Sequence, residues 1–312
     1  MKSYRSLGIA ACAALAIAMP AHAGLTFNIT YTAAVQADAN FGAIQSAVNY
    51  VKGEYSGLYS DNVALNFTID EAPGGLGSSL FSNAYFRGSY AQLSAALVAD
   101  AKSPNDAIAT NPANLPAAAP YADACGVAND CWYAPSAEAK ALGLLPGNNA
   151  ASDGLYTFAN DVSYTYDPAN RAVAGEYDFI GVTEHEFAEL MGRTSQSTGF
   201  GYDILDTMRF TAPGARDVNK AAGVYFSYDN GNTNLAGYNS GGGDRQDFNG
   251  AVATDPYNAS TGTNQAHLLN SVDIQEMDVI GWDLITTPEP KQVILLVFMI
   301  GILLVARRRF CV

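Results

Sequence analysis

The chain has 312 residues, of which 30 are acidic and 16 basic, and its formal net charge is −14 at pH 7. This surplus of negative charge repels phosphate backbones and anionic lipids, which argues against a nucleic-acid-binding role. Apolar residues make up 49% of the chain and aromatic residues 11%, enough for a packed core, so a disordered matrix filler is excluded.

The N-terminus has the order of a secretory signal peptide. Lys2 and Arg5 precede an apolar run at 7–19, and an Ala-His-Ala sequence at 21–23 offers a cleavage point. The run is too short to span a bilayer. We therefore predict that residues 1–23 are removed on export.

Between the two ends, hydrophobic periodicity predicts alternating strands and helices. Apolar residues at every second position indicate a strand, and apolar residues three and four apart indicate a helix. The predicted elements are a strand at 25–31, a helix at 41–55, a strand at 63–69, a helix at 89–102 capped by Ser89, a strand at 156–166, a helix at 178–191, a short strand near 224–227 and a last helix from about 271 that ends before Gly281. The Pro- and Ala-rich segment 103–153 predicts a long irregular excursion. This order predicts one α+β domain over residues 24–286.

The C-terminus carries Pro288-Glu289-Pro290, an apolar stretch at about 292–306 and three arginines at 307–309. The prolines exclude a helix before the stretch, and the basic cluster obeys the positive-inside rule for a membrane span. This order resembles the PEP-CTERM sorting signals of Gram-negative bacteria, which exosortases process. The resemblance implies that residues 287–312 are a sorting signal, that an exosortase is a partner, and that the membrane is contacted only through this tail. It also implies delivery to the cell envelope, the outer surface or the extracellular matrix.

Cys125 and Cys131 are the cysteines that are left when both ends are removed. In the oxidising compartment that an exported protein enters, the pair predicts a disulfide closing a small loop.

The predicted helix at 178–191 carries residues that suit a metal site. His185 and Glu189 are four positions apart, so their side chains share one helix face and are able to hold one metal ion. Glu186 is rotated by about a quarter turn, within reach of a metal-bound water without being a ligand. The pattern is His-Glu-x-x-His with the second His replaced by Glu, and by itself it also fits a solvated helix face. Gly192 supports the metal interpretation, because it stands where the metzincin pattern needs a glycine to turn the chain.

From residue 177 to residue 283 the chain resembles a family of PEP-CTERM-associated, metzincin-like metalloproteases. The matching segments are His185–Arg193, Leu205–Phe210, Ala212–Gly214, Tyr225–Asp229, Val272–Asp273 and Asp278–Asp283. The resemblance implies a zincin or metzincin-like fold, with a mixed sheet, an active-site helix and a loop-rich C-terminal lobe. It also implies that His185 and Glu189 bind zinc and that Glu186 is the general base of a peptidase.

The third ligand departs from the metzincin pattern. Ser195 occupies the position of the third histidine and is a poor zinc ligand. Asp203 or Asp206 are the alternatives after a longer turn, and His267 is the more distant option; we prefer Asp206 because it lies in the family-like segment. Two carboxylates donate more negative charge than imidazoles, which lowers the Lewis acidity of zinc or allows a harder ion.

Other departures concern the groups around the metal. Met208 stands where a metzincin Met-turn would support the site, and the alternative is an ordinary buried Met. Phe210 lies where a Tyr would stabilise an oxyanion, so Tyr202 or Arg209 are the candidates for that task.

Two functional hypotheses follow. The first is an exported, zinc-dependent endopeptidase that acts on peptides or proteins. The second is a non-catalytic surface or exopolysaccharide-matrix protein on a degenerate metzincin scaffold. Asp and Asn residues at 229–232 and 244–247 are additionally either turn formers or calcium ligands.

Overall fold

The structure is a computed structural model that describes residues 24–121, 131–195 and 201–285. The helices are α1 (Ala33–Ala37), α2 (Phe41–Leu58), α3 (Tyr90–Asp100), α4 (Pro104–Ala109), α5 (Ser136–Ala141), α6 (Phe179–Leu190) and α7 (Ser271–Val279), and a 3₁₀ helix runs over Leu205–Met208. The strands are β1 (Thr26–Tyr31), β2 (Ala64–Ala72), β3 (Gly77–Phe81), β4 (Tyr85–Gly88), β5 (Trp132–Pro135), β6 (Gly154–Ala159), β7 (Tyr164–Thr165), β8 (Tyr177–Asp178), β9 (Arg209–Ala212), β10 (Ala215–Arg216), β11 (Tyr225–Phe226) and β12 (Ala236–Gly237).

The main sheet has the strand order β1-β2-β6-β3. The first three strands are parallel, and β3 runs antiparallel to β6 at the end of the sheet. Leu65, Phe67 and Ile69 alternate along β2 and are fully buried or nearly so, because their side chains point to the same face of the strand. The sheet therefore has one face that is covered by the rest of the domain.

Helix α6 lies on this covered face. The Phe187 ring packs edge-on against Phe67 at a centroid distance of 5.1 Å and stacks on Phe27 at 5.8 Å. The hydroxyl of Tyr55 in α2 donates to the carbonyl oxygen of Glu184 at 2.7 Å. At the end of the helix, Gly192 adopts φ +114°, a conformation that glycine accepts readily, and there the chain leaves the helix. These contacts hold the helix rigidly and leave its other face to the candidate site.

The mixture of helices and strands confirms the α+β prediction, and most predicted elements lie within a few residues of the observed ones. Ser89 is the N-cap of α3, as predicted, and forms a capping box with Gln92. The prediction of an irregular excursion over 103–153 is wrong in part, because α4, β5 and α5 lie within it. One reason is a buried ion pair at 2.6 Å between Lys140 of α5 and Asp153, which a composition-based prediction does not detect.

The C-terminal part of the described chain is built mainly from loops, with a small antiparallel sheet of order β10-β9-β11-β12. No helix among the described residues is both long and apolar enough to cross a membrane. The predicted signal peptide, the predicted span at 292–306 and Pro288-Glu289-Pro290 lie outside the described residues. Cys131 is buried, but Cys125 lies outside them too, so the pairing of the two cysteines stays a prediction.

Candidate metal centre

Three potential ligand atoms meet above α6. The Nε2 atom of His185 lies 3.3 Å from Oε1 of Glu189 and 3.4 Å from Oδ1 of Asp247. All three ligand atoms lie within 4.8 Å of one another. Zinc bonds of about 2.0–2.2 Å in a tetrahedral site place ligand atoms about 3.3–3.6 Å apart. The two distances to His185 therefore match those around a tetrahedral zinc ion.

Asp247 is the strongest sign that a cation belongs here. The residue is 3% exposed, and its Oδ1 atom has no hydrogen-bond partner in the part of the chain that the structure describes. Its other oxygen, Oδ2, accepts a hydrogen bond from the backbone N–H of Asp244 at 2.8 Å. A buried carboxylate oxygen without a hydrogen bond is costly, and a cation beside it, either a metal ion or the guanidinium of Arg193 at 3.7 Å, reduces that cost.

Hydrogen bonds with neighbouring groups orient His185 and Glu189 in the cluster. The Nδ1–H of His185 donates to the carbonyl oxygen of Pro256 at 2.8 Å, which directs Nε2 at the carboxylates. Ser79 donates to Oε2 of Glu189 at 2.7 Å, and Gln246 donates to Oε1 at 2.7 Å. Such outer contacts are typical of metal ligands and fix their rotamers.

The charges of the cluster favour a cation at Nε2 of His185. Burial lowers the pKa of His185, but the carboxylates of Asp247 and Glu189 outweigh burial and raise it to about 10. Burial raises the pKa of Glu189, but His185 and Arg193 outweigh it and lower the pKa to about 2. The carboxylates thus attract positive charge, whether a proton on His185 or a metal ion that replaces it.

Arg193 is the second positive group of the centre. Its guanidinium is fully buried, and Nη2 lies 3.7 Å from both Oε1 of Glu189 and Oδ1 of Asp247. These separations are ion-pair distances but are too long for good hydrogen bonds. The guanidinium also lies 4.2 Å from the centroid of the Tyr257 ring. Arg193 therefore offsets part of the negative charge, and its Nη2 atom, which also lies 3.4 Å from Nε2 of His185, is close to all three ligand atoms.

Glu186 lines the same cavity as the cluster, which has a volume of about 370 Å³. The residue is 5% exposed, and its Oε2 atom has no hydrogen-bond partner among the described residues. Burial, with a contribution from the carboxylate of Glu189, raises the pKa of Glu186 well above its ordinary value. Gly77 of β3 makes room for this side chain, because a Cβ there would lie 2.4 Å from Oε1 of Glu186. Glu186 thus lies beside the ligand cluster, lines its cavity and is not one of the clustered ligand residues.

The structure does not bring Asp206, the preferred third ligand, to His185 and Glu189. Its Oδ1 accepts a hydrogen bond from Ser195 at 2.6 Å and its Oδ2 accepts one from the N–H of Asp203 at 3.1 Å. The carboxylate is fully buried and links Ser195 to the backbone of Asp203. The carboxylate of Asp203 accepts a hydrogen bond from Thr194 at 2.6 Å. Asp247 takes the place that the sequence assigned to Asp206.

The spacing of residues in the sequence does not indicate that Asp247 lies beside His185 and Glu189. The residue lies 58 positions after Glu189, in a loop that returns to the helix. In the sequence, the acidic segment 244–247 indicates a turn or a calcium loop. A ligand on a long irregular loop has no fixed register with the helix, so its position depends on tertiary packing.

The other predicted site residues lie elsewhere. His267 lines the cavity but does not belong to the ligand cluster, and burial lowers its pKa. Met208, Phe210, Tyr202 and Arg209 are buried and are not among the residues that line this cavity.

A second group of carboxylates, Asp61, Asp100 and Asp283, also lies within the range of a shared ion among the described residues. The ammonium group of Lys102 already contacts Asp283 and lies 3.8 Å from Asp100. Asp229 accepts hydrogen bonds from Ser227 and from Thr233, at 2.7 Å and 2.6 Å for the two hydroxyls, as expected of a turn residue. Calcium binding at 229–232 therefore stays a prediction without a ligand cluster in the described chain.

No protein-family model matches this chain, and neither a curated protein nor a solved structure matches it.

Proposed function

We propose that the protein is an exported metal-dependent endopeptidase with a zinc site formed by His185, Glu189 and Asp247. The observation that carries this proposal is the cluster itself, in which an oriented imidazole lies 3.3 Å and 3.4 Å from two buried carboxylate oxygens, distances that suit tetrahedral zinc. One of the carboxylate oxygens lacks a hydrogen-bond partner among the described residues. The α+β scaffold with the helix-borne His185-Glu186 pair is compatible with a zincin-like fold.

The residues of the proposed site have separate roles in peptide hydrolysis. A bound zinc ion supplies a Lewis acid that lowers the pKa of water and polarises a carbonyl group. Glu186 takes the proton of the attacking water and passes it to the leaving amine, a task that its position one residue after a ligand allows. The outer contacts of Ser79 and Gln246 keep Glu189 in its rotamer during the reaction.

Arg193 compensates for the negative charge of the proposed ligand set. Two carboxylates make the centre more negative than three imidazoles would, and this weakens the metal as a Lewis acid. The buried guanidinium, 3.7 Å from both carboxylate oxygens, offsets one of the two negative charges. We infer that Arg193 keeps the metal electrophilic.

Strand β3 supplies a surface for an extended substrate. Among the described residues the strand has a sheet neighbour on one side only, β6, and its residues Gly77–Ser79 line the cavity with His185 and Glu186. An extended peptide is able to add to such an edge through backbone hydrogen bonds. Its scissile bond would then lie over the metal centre, which suits an endopeptidase.

The alternative is a non-catalytic surface or matrix protein in which Arg193 is the permanent cation of the cluster. The position of its Nη2 atom near all of the ligand atoms favours this alternative.

Metal content separates the two hypotheses. We expect about one equivalent of zinc in the purified protein, since the His-Glu-Asp set provides one site. We also expect chelation to abolish peptide cleavage and zinc to restore it. A protein that neither contains nor takes up a metal ion would support the alternative.

Substitution of Gly77 by Ala tests the position of the proposed base. The added Cβ would lie 2.4 Å from Oε1 of Glu186, so the side chain has to move. We expect peptide cleavage to fall by up to about 10²-fold, because small displacements of a catalytic group have effects of this size. Zinc content should be unchanged. As a control, Gly53→Ala in α2 adds a Cβ where no neighbour lies within 4 Å, and this variant should keep full activity.

A further inference from the structure

The cavity at the metal centre continues into a larger cleft. This second space has a volume of about 740 Å³ and shares Ser79, Glu189, Gly243 and Asp244 with the first. It extends along β3 past Phe81 and is also lined by Tyr133, so one wall is partly aromatic. A peptide that lies across the metal centre therefore places its neighbouring side chains in this cleft.

The described wall of the cleft differs from the protein as a whole in its balance of basic and acidic residues. Between residues 24 and 286 the chain has 10 basic and 29 acidic residues. Three of the 10 basic residues, Arg87, Lys220 and Arg245, line this cleft. Among the described residues, two acidic residues line it, Glu189 and Asp244, and Glu189 is a proposed metal ligand. The described lining of the cleft therefore has one more basic than acidic residue, on a protein that is strongly negative as a whole.

Lys220 and Arg245 are fixed at the cleft by backbone contacts. The ammonium group of Lys220 contacts the carbonyl oxygen of Gly243, and Nη1 of Arg245 donates to the carbonyl oxygen of Val218 at 2.7 Å. Both side chains are half-buried. Neither of these hydrogen bonds uses a carboxylate, and the ammonium group of Lys220 stays able to meet an anionic partner. The carboxylates of Asp206, Asp203 and Asp217 already offset part of the charge of Arg245.

We propose that this cleft is a specificity subsite for an acidic side chain, Asp or Glu, of the substrate peptide. The proposal rests on the proposed peptidase function and names its substrate class. Lys220 and Arg245 attract the carboxylate of the substrate, while the acidic remainder of the surface repels it elsewhere. Because the subsite adjoins the metal centre, the acidic residue lies close to the scissile bond.

The test compares two pools of fluorogenic peptides with the zinc-loaded full chain. The pools are identical except that the positions flanking the central bond are Glu in one and Gln in the other. We expect kcat/KM to be about threefold to tenfold higher for the Glu pool, the range for a partly exposed charge pair. This preference should shrink as ionic strength rises.

Single substitutions test whether Lys220 and Arg245 cause the preference for the Glu pool. Lys220→Gln and Arg245→Gln should each bring the Glu-to-Gln ratio of kcat/KM towards one. Lys220→Glu should favour a third pool that carries Lys at these positions. The matched control is Lys52→Gln on the exposed side of α2, which also removes one positive charge and should keep the ratio. Zinc content and the unfolding midpoint of each variant show whether it is folded.

The outcomes separate this proposal from the proposed function. Equal kcat/KM for the Glu and Gln pools overturns the subsite and leaves the peptidase intact. A preference that persists in both the Lys220 and Arg245 variants also overturns it. If the metal-loaded protein cleaves none of the pools, both proposals fall.

Discussion

Replacing Glu186 by Gln is expected to reduce peptide cleavage by at least about 10²-fold, and by up to about 10⁴-fold, while zinc stays bound. The amide has nearly the shape of the carboxylate but is a far weaker proton acceptor. The effect should appear in kcat, because Glu186 acts on the proton in the transition state and does not hold the substrate. Metal stays bound because the ligand atoms belong to His185, Glu189 and Asp247.

The matched control for this substitution is Glu176→Gln. Glu176 directly precedes β8, and only its backbone N–H and carbonyl group take part in described hydrogen bonds. This variant should cleave peptides at the rate of the unsubstituted protein. Equal activity in the Glu186→Gln and unsubstituted proteins would show that Glu186 is not the base. Loss of zinc from Glu186→Gln would instead indicate that this carboxylate is a ligand.

The second large effect concerns the third ligand. Asp247→Asn should lower the affinity for zinc by more than about 100-fold, since loss of even an outer contact of a metal site costs about 10–100-fold. The fold should survive, because the amide is close in size to the carboxylate and its oxygen is able to accept the hydrogen bond from the N–H of Asp244. Competition with a chelator measures the affinity directly. Thermal unfolding gives an independent measure, because a ligand present at 100 times its Kd stabilises the folded state by about 2.7 kcal/mol.

Asp206→Asn is the comparison for Asp247→Asn and should have the opposite effect on zinc binding. Asp206 accepts hydrogen bonds from Ser195 and from the N–H of Asp203 and does not belong to the ligand cluster. We therefore expect it to retain zinc and to lose about 1–3 kcal/mol of unfolding free energy, the cost of disturbing a buried hydrogen-bonded group. Retention of zinc by Asp247→Asn together with its loss from Asp206→Asn would restore the ligand set that the sequence alone suggested.

Local features could be predicted because their causes are local. Apolar spacing located the helix that became α6 and placed His185 and Glu189 on one of its faces, since residues four apart on a helix are always neighbours. Ser89 was recognised as a helix cap because capping involves only the next three residues. Gly192 was expected to turn the chain, and its positive φ agrees with that.

Strands β3 and β4 were not predicted, although β3 forms one wall of the candidate site. Gly77, Ser78 and Ser79 have little intrinsic preference for a strand, so β3 exists because β6 pairs with it. The glycine at its start is also needed to accommodate the side chain of Glu186, a contact between residues more than a hundred positions apart. Neither the pairing of β3 with β6 nor the contact between Gly77 and Glu186 produces a periodic pattern in the sequence.

The sequence by itself determined the helix that carries His185, Glu186 and Glu189, because helical spacing is a property of the chain over a few residues. Only the tertiary structure decided how the centre is completed. Asp247 reaches it from a loop 58 residues further on, and the guanidinium of Arg193 turns inward to offset its charge. Both placements depend on long-range packing and on the charge balance of a buried cluster, and these arise only when distant segments are brought together.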